Sequence, residues 1–272
     1  MGSVSEDVPQ LLCQVHNRVR NGLQHETVLA DLPVGKNAKG DTQQRFDVVA
    51  DAIIRRALTE SVHNGILLSE ESGEVRFGTH SPTYRFIVDP VDGSDNWGRG
   101  LPLSAVSIAV LPVDGPLQPD RVSWAMVCEL REPLPLTASR GHGAYRGSHR
   151  VRVSGVRALR SAFLSCELNH FDPTPAVGRL LQSARAVRTY GCASQAITLV
   201  ATGALDVHVD IRDRLTAESF LAAALILEEA GGYVVTGDGH PIRHLESLVA
   251  RTSLVAAATP ELAHEVLNVL SR

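Results

Sequence analysis

The sequence predicts a mixed α/β or α+β sandwich, and three observations carry that prediction. In some segments apolar residues recur at three- and four-residue steps, the mark of amphipathic helices; in others they alternate, the mark of half-buried strands. The two kinds of segment are mixed along the chain. Of the 272 residues 44% are hydrophobic, ample for a real core in one large domain or two intimate halves. Periodicity does not give the strand order.

In chain order, residues 7–32 read as a helix, with Leu11, Leu12, Val15, Val19 and Leu23 on helical steps. Residues 35–41 form a polar, glycine-bounded loop. A second helix covers residues 46–61, with Val48, Ala52, Ile53 and Leu58 inward. Residues 65–69 read as a short strand that ends in Glu70-Glu71. Residues 84–88 are a strand expected to stop at Asp89-Pro90, because Pro90 has no N–H with which to continue a ladder. Strands follow at 103–111 and 122–128, then hairpin-spaced glycines over 141–154. We expect residues 1–154 to form an N-terminal half that carries the acidic motifs, and 155–272 a C-terminal half that completes the substrate site. That half reads as a strand at 162–168, a helix at 174–184, a helix at 193–202 closed by Gly203 and a strand at 204–211. A strong helix at 216–230 follows, capped by Thr216 and closed by Gly231-Gly232, then a strand at 232–236 and a closing helix at 260–271.

Composition narrows the function. The net charge is -4, with no basic surplus to suit a nucleic acid or a polyanionic membrane, so neither is an expected partner. A phosphorylated substrate then needs local positive charge from metal ions or a few arginines. No apolar run approaches the ~20 residues of a membrane span, and residues 1–7 lack the basic and apolar regions of a secretory leader. Cys13, Cys128, Cys166 and Cys192 are scattered, as expected of reduced thiols in a cytoplasmic protein.

The most informative segment is Phe86-Ile87-Val88-Asp89-Pro90-Val91-Asp92-Gly93-Ser94. An apolar strand delivers two carboxylates where the chain turns, and Pro90 restricts that turn. Two converging carboxylates repel unless a hard cation neutralises them, and magnesium prefers such oxygen ligands; the Val91 carbonyl adds a neutral one. Gly93 lets its backbone approach a ligand, so the N–H groups of Gly93 and Ser94 can face a phosphate. Metals with oriented N–H groups are what phosphoryl chemistry requires. Alone, the same residues also compose a plain solvated turn. Glu70 stands at another strand end, where ion sites gather, although Glu70-Glu71 alone reads as an exposed acidic loop. Asp47 and Asp51 share a helix face, either as a surface pair or with one of them holding an attacking water.

Together these segments resemble the inositol monophosphatase family of magnesium-dependent, lithium-sensitive phosphatases. Ser69-Glu70-Glu71-Ser72 is similar to its Gly-Glu-Glu-Ser motif, and Asp89-Pro90-Val91-Asp92-Gly93-Ser94-Asp95-Asn96 to its Asp-Pro-Ile/Leu-Asp-Gly-Thr-x-Asn motif. Leu101-Pro102-Leu103-Ser104, Tyr190-Gly191-Cys192-Ala193-Ser194, Gly203-Ala204-Leu205-Asp206 and Glu229-Ala230-Gly231-Gly232 also fit. Residues 42–51 and Asp210-Ile211-Arg212 lean toward the archaeal-type inositol monophosphatase/fructose-bisphosphatase branch. The resemblance implies a layered αβαβα sandwich, usually a homodimer, and about two or three magnesium ions. It implies that Glu70, Asp89 and the Val91 carbonyl hold a first metal and that Asp89 and Asp92 share a second. Ser94 stands where the family has a water-polarising threonine. Asp51 aligns with the family's water-ordering aspartate, and Asp47 with a nearby acid of the archaeal-type branch.

The chain departs from the family at residue 219. Counted back from Gly232, the aspartate that ligates the second metal falls on Ser219, preceded by Glu218. Either Glu218 reaches in, or the second metal is held more weakly by a neutral hydroxyl. Ser69 also replaces a glycine. On the substrate side the resemblance points to Gly93, Ser94, Asp95, Arg188, Ser194, Asp210 and Arg212, with Arg214 nearby. Asp210 suits hydroxyls, and the arginines suit either a second phosphate or surface ion pairs. Trp97 either stacks on a ring or packs. The histidines show no zinc-ligand spacing, and no Walker loop or Rossmann fingerprint appears.

The expected activity is magnesium-dependent hydrolysis of a small phosphate monoester: an inositol phosphate, a sugar phosphate or a nucleotide. The alternatives are a dimeric binding or regulatory relative with altered or lost turnover, and a specialised phosphatase for an unusual sugar or nucleoside phosphate.

Overall fold

The computed structural model describes residues 8–24, 33–37, 40, 42–62 and 64–272. Helix α1 (Val8–Leu23) buries Leu11, Leu12, Val15, Val19 and Leu23, the stripe its periodicity predicts. The rest of the expected helix, residue 7 and residues 25–32, lies outside the described residues. Strands β1 (Pro33–Lys36) and β2 (Thr42–Gln44) form a two-stranded hairpin, so Gly35 and Lys36 are extended rather than part of a loop.

Helix α2 (Arg45–Ser61) has the expected limits but a different face. Phe46, Ala50, Ile54, Ala57 and Leu58 are buried, together with Asp47 and Asp51, whereas Val48 and Ala52 are exposed. The helix rolls to bring its two acids inward, because each finds hydrogen-bond donors there that water would otherwise supply.

An eight-stranded sheet follows: β3 (Gly65–Ser69), β4 (Gly73–Phe77), β5 (Tyr84–Asp92), β6 (Ala105–Pro112), β7 (Trp124–Glu129), β8 (Leu136–Ser139), β9 (Gly143–Arg146) and β10 (His149–Arg150), in the order β10-β9-β8-β7-β6-β5-β3-β4. Strand β5 does not stop at Asp89. It runs through Pro90 to Asp92, with a register shift between the pairs Asp89–Ser107 and Asp92–Ala105. Pro90 lies inside that bulge, where a missing N–H breaks no ladder bond. The short helix α3 (Ser94–Gly98) leaves β5 through Gly93.

The second sheet takes β11 (Phe163–Cys166), β12 (Ala186–Arg188), β13 (Val207–Leu215), β14 (Tyr233–Val235) and β15 (Thr252–Ala257) in the order β12-β11-β13-β15-β14. Strands β2, β4, β8, β12 and β15 have no counterpart in the periodicity reading. β12 is only three residues long, and β4 alternates half-buried with exposed positions at a sheet edge. The remaining helices are α4 (Pro175–Ser183), α5 (Ala193–Ala201), α6 (Ala217–Glu229) and α7 (Pro260–Leu270).

Three apolar clusters define the layers. Helices α1 and α2 pack on Phe86, Val88, Val106, Ile108 and Met126, one face of the first sheet. Ile87, Ala109, Leu111, Ala125 and Val127, on its other face, meet α5 and α6, which also touch Leu254 and Ala256 of the second sheet. Helices α4 and α7 cover that sheet's outer face. The result is the αβαβα sandwich. Helix α6 is apolar all round because it lies between two sheets: of its residues, ten from Ala217 to Leu227 are buried. Among the described residues no helix is long and apolar enough to cross a membrane.

Candidate active site

Strands β3 and β5 run parallel and end side by side, with Ser69 paired to Val88. Their C-terminal ends thus deliver Glu70 and Asp89 to one edge of the sheet, and the Glu70 N–H donates to the Val88 carbonyl at 3.1 Å. Asp89 is buried, and its Oδ1 accepts the Val91 N–H at 3.2 Å, which fixes the carboxylate against the bulge.

Helix α2 presents Asp47 and Asp51 to this edge from the opposite layer, and each is held differently. Ser94 Oγ lies 3.0 Å from Asp47 Oδ1 and 2.9 Å from the Val91 carbonyl, so it donates to one or the other. Asp47 Oδ2 accepts the Gln44 N–H at 3.0 Å, a reciprocal cap on the helix start. Asp51 Oδ1 accepts the hydroxyls of Ser69 at 2.5 Å and Ser72 at 3.1 Å. Ser69 Oγ in turn receives the Glu71 N–H at 3.2 Å. The acid beside Ser94 is therefore Asp47 and not Asp51. Asp51 instead ties down the turn that bears Glu70 and Glu71. Ser69, where the resemblance implies a glycine, supplies a hydroxyl for that tie.

Asp92 is gripped from the second half of the chain. Its Oδ2 accepts the Ser194 N–H at 2.7 Å and the Ser194 hydroxyl at 2.6 Å, and the Cys192 thiol lies at 3.2 Å. The turn before α5 thus orients one carboxylate oxygen of Asp92 with three donors. Gly93 follows at φ +83°, and a Cβ there would stand 2.7 Å from the Leu103 carbonyl and 3.1 Å from Cys192 Cβ. Only glycine serves both the left-handed backbone and this close approach. Asn96 Nδ2 bonds the carbonyls of Leu103 at 2.9 Å and Tyr190 at 2.7 Å, stapling α3 to the same turn.

The electrostatics are those of crowded acids. Burial first, then repulsion from Glu70 and Asp95, pushes the Asp47 carboxyl up to about 7, against the pull of its own hydrogen bonds. Glu71 is likewise pushed up to about 7, chiefly by burial and then by Asp47, Glu70 and Asp51; its Oε2 accepts from Gln43 at 2.6 Å. Burial raises Asp92 too, with Glu70 adding repulsion and the Ser194 and Cys192 donors opposing. Among the described residues, the charged neighbours that raise these three carboxyls are themselves acids.

Among the described residues no group of three or more His, Cys, Asp or Glu side chains stands in metal-holding geometry. The donor chemistry nonetheless fits a hard divalent ion, since carboxylate, hydroxyl and carbonyl oxygens make up the edge.

Other sequence-derived candidates are placed elsewhere. The Arg188 guanidinium lies 5.9 Å from the Phe163 ring, at the edge of the second sheet. Asp210 is fully buried and pairs bidentately with Arg212, at 2.9 and 2.7 Å, so its oxygens are already engaged. Arg212 also donates to the Asn169 carbonyl at 3.0 Å. Asp95 is exposed on α3. Glu218 is buried at the start of α6; its Oε1 accepts the Thr216 hydroxyl and its carbonyl accepts Ser107 Oγ at 3.1 Å. Thr216 thus does not cap the helix with its side chain. Ser219, half-buried in the first turn of α6, has its N–H on the Thr216 carbonyl. Trp97 packs in the core beneath Arg131.

Sequence reasoning missed Glu167. Its Oε1 accepts the N–H groups of Leu168 and Asn169, both at 2.9 Å, and its Oε2 accepts the Gly191 N–H at 3.0 Å. It anchors the turn that grips Asp92. A lone acid at the end of an apolar strand was the only available signal.

A family model described as the inositol monophosphatase family matches residues 9–272. A fructose-1,6-bisphosphatase/inositol-1-monophosphatase of Thermococcus kodakarensis is 29% identical over 237 residues, 87% of this chain and 86% of that protein. Human inositol monophosphatase 2 is 30% identical over 246 residues, 86% and 80% of the two chains. The solved structure of the extragenic suppressor protein suhB from Bartonella henselae superposes with a TM-score of 0.83 at 24% identity, covering 98% of this chain and 99% of its own, a likeness of fold.

Proposed function

Because the chain belongs to the inositol monophosphatase family and is on that ground a phosphoric monoester hydrolase, we propose that it hydrolyses a small phosphate monoester with magnesium at the Glu70, Asp89 and Asp92 edge. The observation that carries this reading is the delivery of Glu70, Asp89 and Asp92 to one edge of the first sheet, with Asp92 held there by Ser194 and Asp47 bonded to Ser94. Glu70, Asp89, the Val91 carbonyl and Asp92 would hold the ions. Magnesium, when bound, supplies Lewis-acid charge against the phosphoryl oxygens.

The chain's own groups orient the attack. With its proton directed to Asp47, Ser94 Oγ offers lone pairs to an incoming water and turns that water's oxygen toward phosphorus. Asp47, hydrogen-bonded to Ser94, suits the role of general base through it. The N–H groups of Gly93 and Ser94 face the phosphate, and Ser194 keeps Asp92 in place. In this reading the protein is a cytoplasmic homodimer whose two halves, 1–154 and 155–272, meet at Asp92 and Ser194, and it needs no nucleic acid.

The test is phosphate release from inositol phosphates, sugar phosphates and bisphosphates, and nucleotides, with and without magnesium. Release that depends on magnesium is expected. Glu70→Gln and Asp92→Asn should abolish it and leave the circular dichroism spectrum intact. Folded protein that releases phosphate from none of the panel would sink the proposal. Ser219 favours a second reading, a relative that binds phosphorylated ligands without turnover. Saturable binding with no release in the same panel would support it.

A further inference from the structure

A second cleft lies on the face of the first sheet opposite Asp47 and Asp51, with Ser69 at the end of β3 in its lining. Strand alternation puts Leu67, Phe86 and Val88 against α1 and α2, so Ile66, Leu68, Arg76, Arg85 and Ile87 face the other side of the sheet. There α6 covers Ile87. At the β3–β4 edge the cover is instead the segment 244–249, pinned by the Leu245 N–H to the Leu117 carbonyl at 2.9 Å. Between this segment and the sheet is a cleft of about 610 Å³, within the range of small-molecule sites.

Its lining is mixed, with Arg76 and Arg85 beside Glu74, Glu246 and His244. Ile66, Leu68, Leu117 and Leu248 give it an apolar lining. Ile66 pairs across the ladder with Arg76 on one side and Arg85 on the other, so two guanidinium stems flank one isoleucine. Arg76 bonds Glu74 at the exposed rim at 3.0 Å. Arg85 is half-buried, and its described hydrogen bonds go to two backbone carbonyls, Pro112 at 3.3 Å and Gly115 at 2.7 Å. Those bonds use Nε and one Nη2 hydrogen of a group built for bidentate anion contact. Burial, and then repulsion from Arg121, pull the Arg85 pKa down against the attraction of Asp114.

We propose that this cleft binds a small organic acid, its anionic end on Arg85 and Arg76 and its apolar body on Ile66, Leu68 and Leu248. The site opens on the sheet face opposite Asp47 and Asp51 and does not depend on the phosphatase reading.

Calorimetry with 1-naphthalenesulfonate tests it on the full chain. One saturable equivalent should bind, and naphthalenemethanol, which lacks the charge, should bind roughly tenfold more weakly or worse. Arg85→Gln and Ser247→Trp, the latter filling the mouth, should each weaken the sulfonate by about tenfold or more, whereas Arg99→Gln should not. If Arg85→Gln fails to fold, because it also anchors the two carbonyls, Arg76→Gln takes its place beside Ser247→Trp. Absence of saturable binding, equal binding of the neutral compound, or affinity unchanged in the cleft variants would each overturn the proposal. Magnesium-dependent phosphate release, measured separately, should be the same in Arg76→Gln and Ser247→Trp as in the parent chain.

Discussion

Ser94 and Asp47, 47 residues apart in sequence, meet at 3.0 Å between Ser94 Oγ and Asp47 Oδ1, across the boundary between the first sheet and the helix layer that covers it. The contact gives the two acids of α2 different work: Asp47 faces the reacting edge, and Asp51 serves the turn that carries Glu70.

If that division holds, Asp47→Asn should lower kcat by roughly 10²- to 10⁴-fold, the range of a lost general base. Asp51→Asn should act mainly on stability, costing about 1 kcal/mol, because the amide Oδ1 still accepts the hydroxyls of Ser69 and Ser72 but without the carboxylate charge. Steady-state phosphate release and urea unfolding of both variants separate these effects. A larger kcat loss in Asp51→Asn than in Asp47→Asn would reverse the assignment.

Ser219→Asp places a carboxylate in the first turn of α6, beside buried Glu218. Magnesium should then bind more tightly, by about tenfold if the new oxygen reaches the ion. Unchanged affinity in calorimetry would show that residue 219 does not face the ions.

Gly93→Ala meets both a positive φ and a backbone carbonyl 2.7 Å from the new Cβ. We expect a loss of about 1–3 kcal/mol in urea unfolding, with phosphate release reduced because Asp92 and Ser94 flank the strained residue. A variant as stable as the parent would mean that the turn relaxes freely.

His16 and His208 are both buried, and burial holds both below the ordinary value of 6.5. Below that value the unfolded chain takes up protons that the folded chain does not. The two histidines therefore contribute a fall in stability as pH drops below 6.5, opposed over the same range by Asp47 and Glu71, whose raised carboxyls favour the folded state as pH drops from about 7. Thermal melts of the parent and of His208→Gln from pH 8 to 5 separate the two. The variant should lose less stability than the parent on the acid side, and identical pH profiles would remove His208 from the account.

Glu167→Gln tests the tie between the second sheet and the acidic edge. The amide retains an acceptor for one side of the network and loses the other, at a cost of about 1–3 kcal/mol. Because Gly191 leads directly to Cys192 and Ser194, kcat should fall along with stability, whereas the more distant Arg185→Gln should change neither.

The legible parts of the chain were those with local causes. The limits of α2, β3 and α6 follow from apolar periodicity, and the acidic run from Asp89 to Ser94 announces itself by composition. Short or edge elements left no such trace: β12 has three residues, and β4 alternates over only five. Val48 and Ala52 were expected inside because hydrophobicity alone was weighed. The structure turns Asp47 and Asp51 inward instead, since Ser94, Gln44, Ser69 and Ser72 satisfy their oxygens there.

By itself the sequence determined the layered α/β class, the family and the identity of the acids at the strand ends, because each rests on neighbours in the chain. Tertiary structure decided which of those acids work together. It carried β5 through Pro90 in a bulge, set Asp47 rather than Asp51 against Ser94, and brought Ser194 from about a hundred residues away to hold Asp92. These choices depend on where separate layers meet, and a side chain's partner across such a boundary is fixed by packing and by the cost of leaving a buried polar atom unbonded.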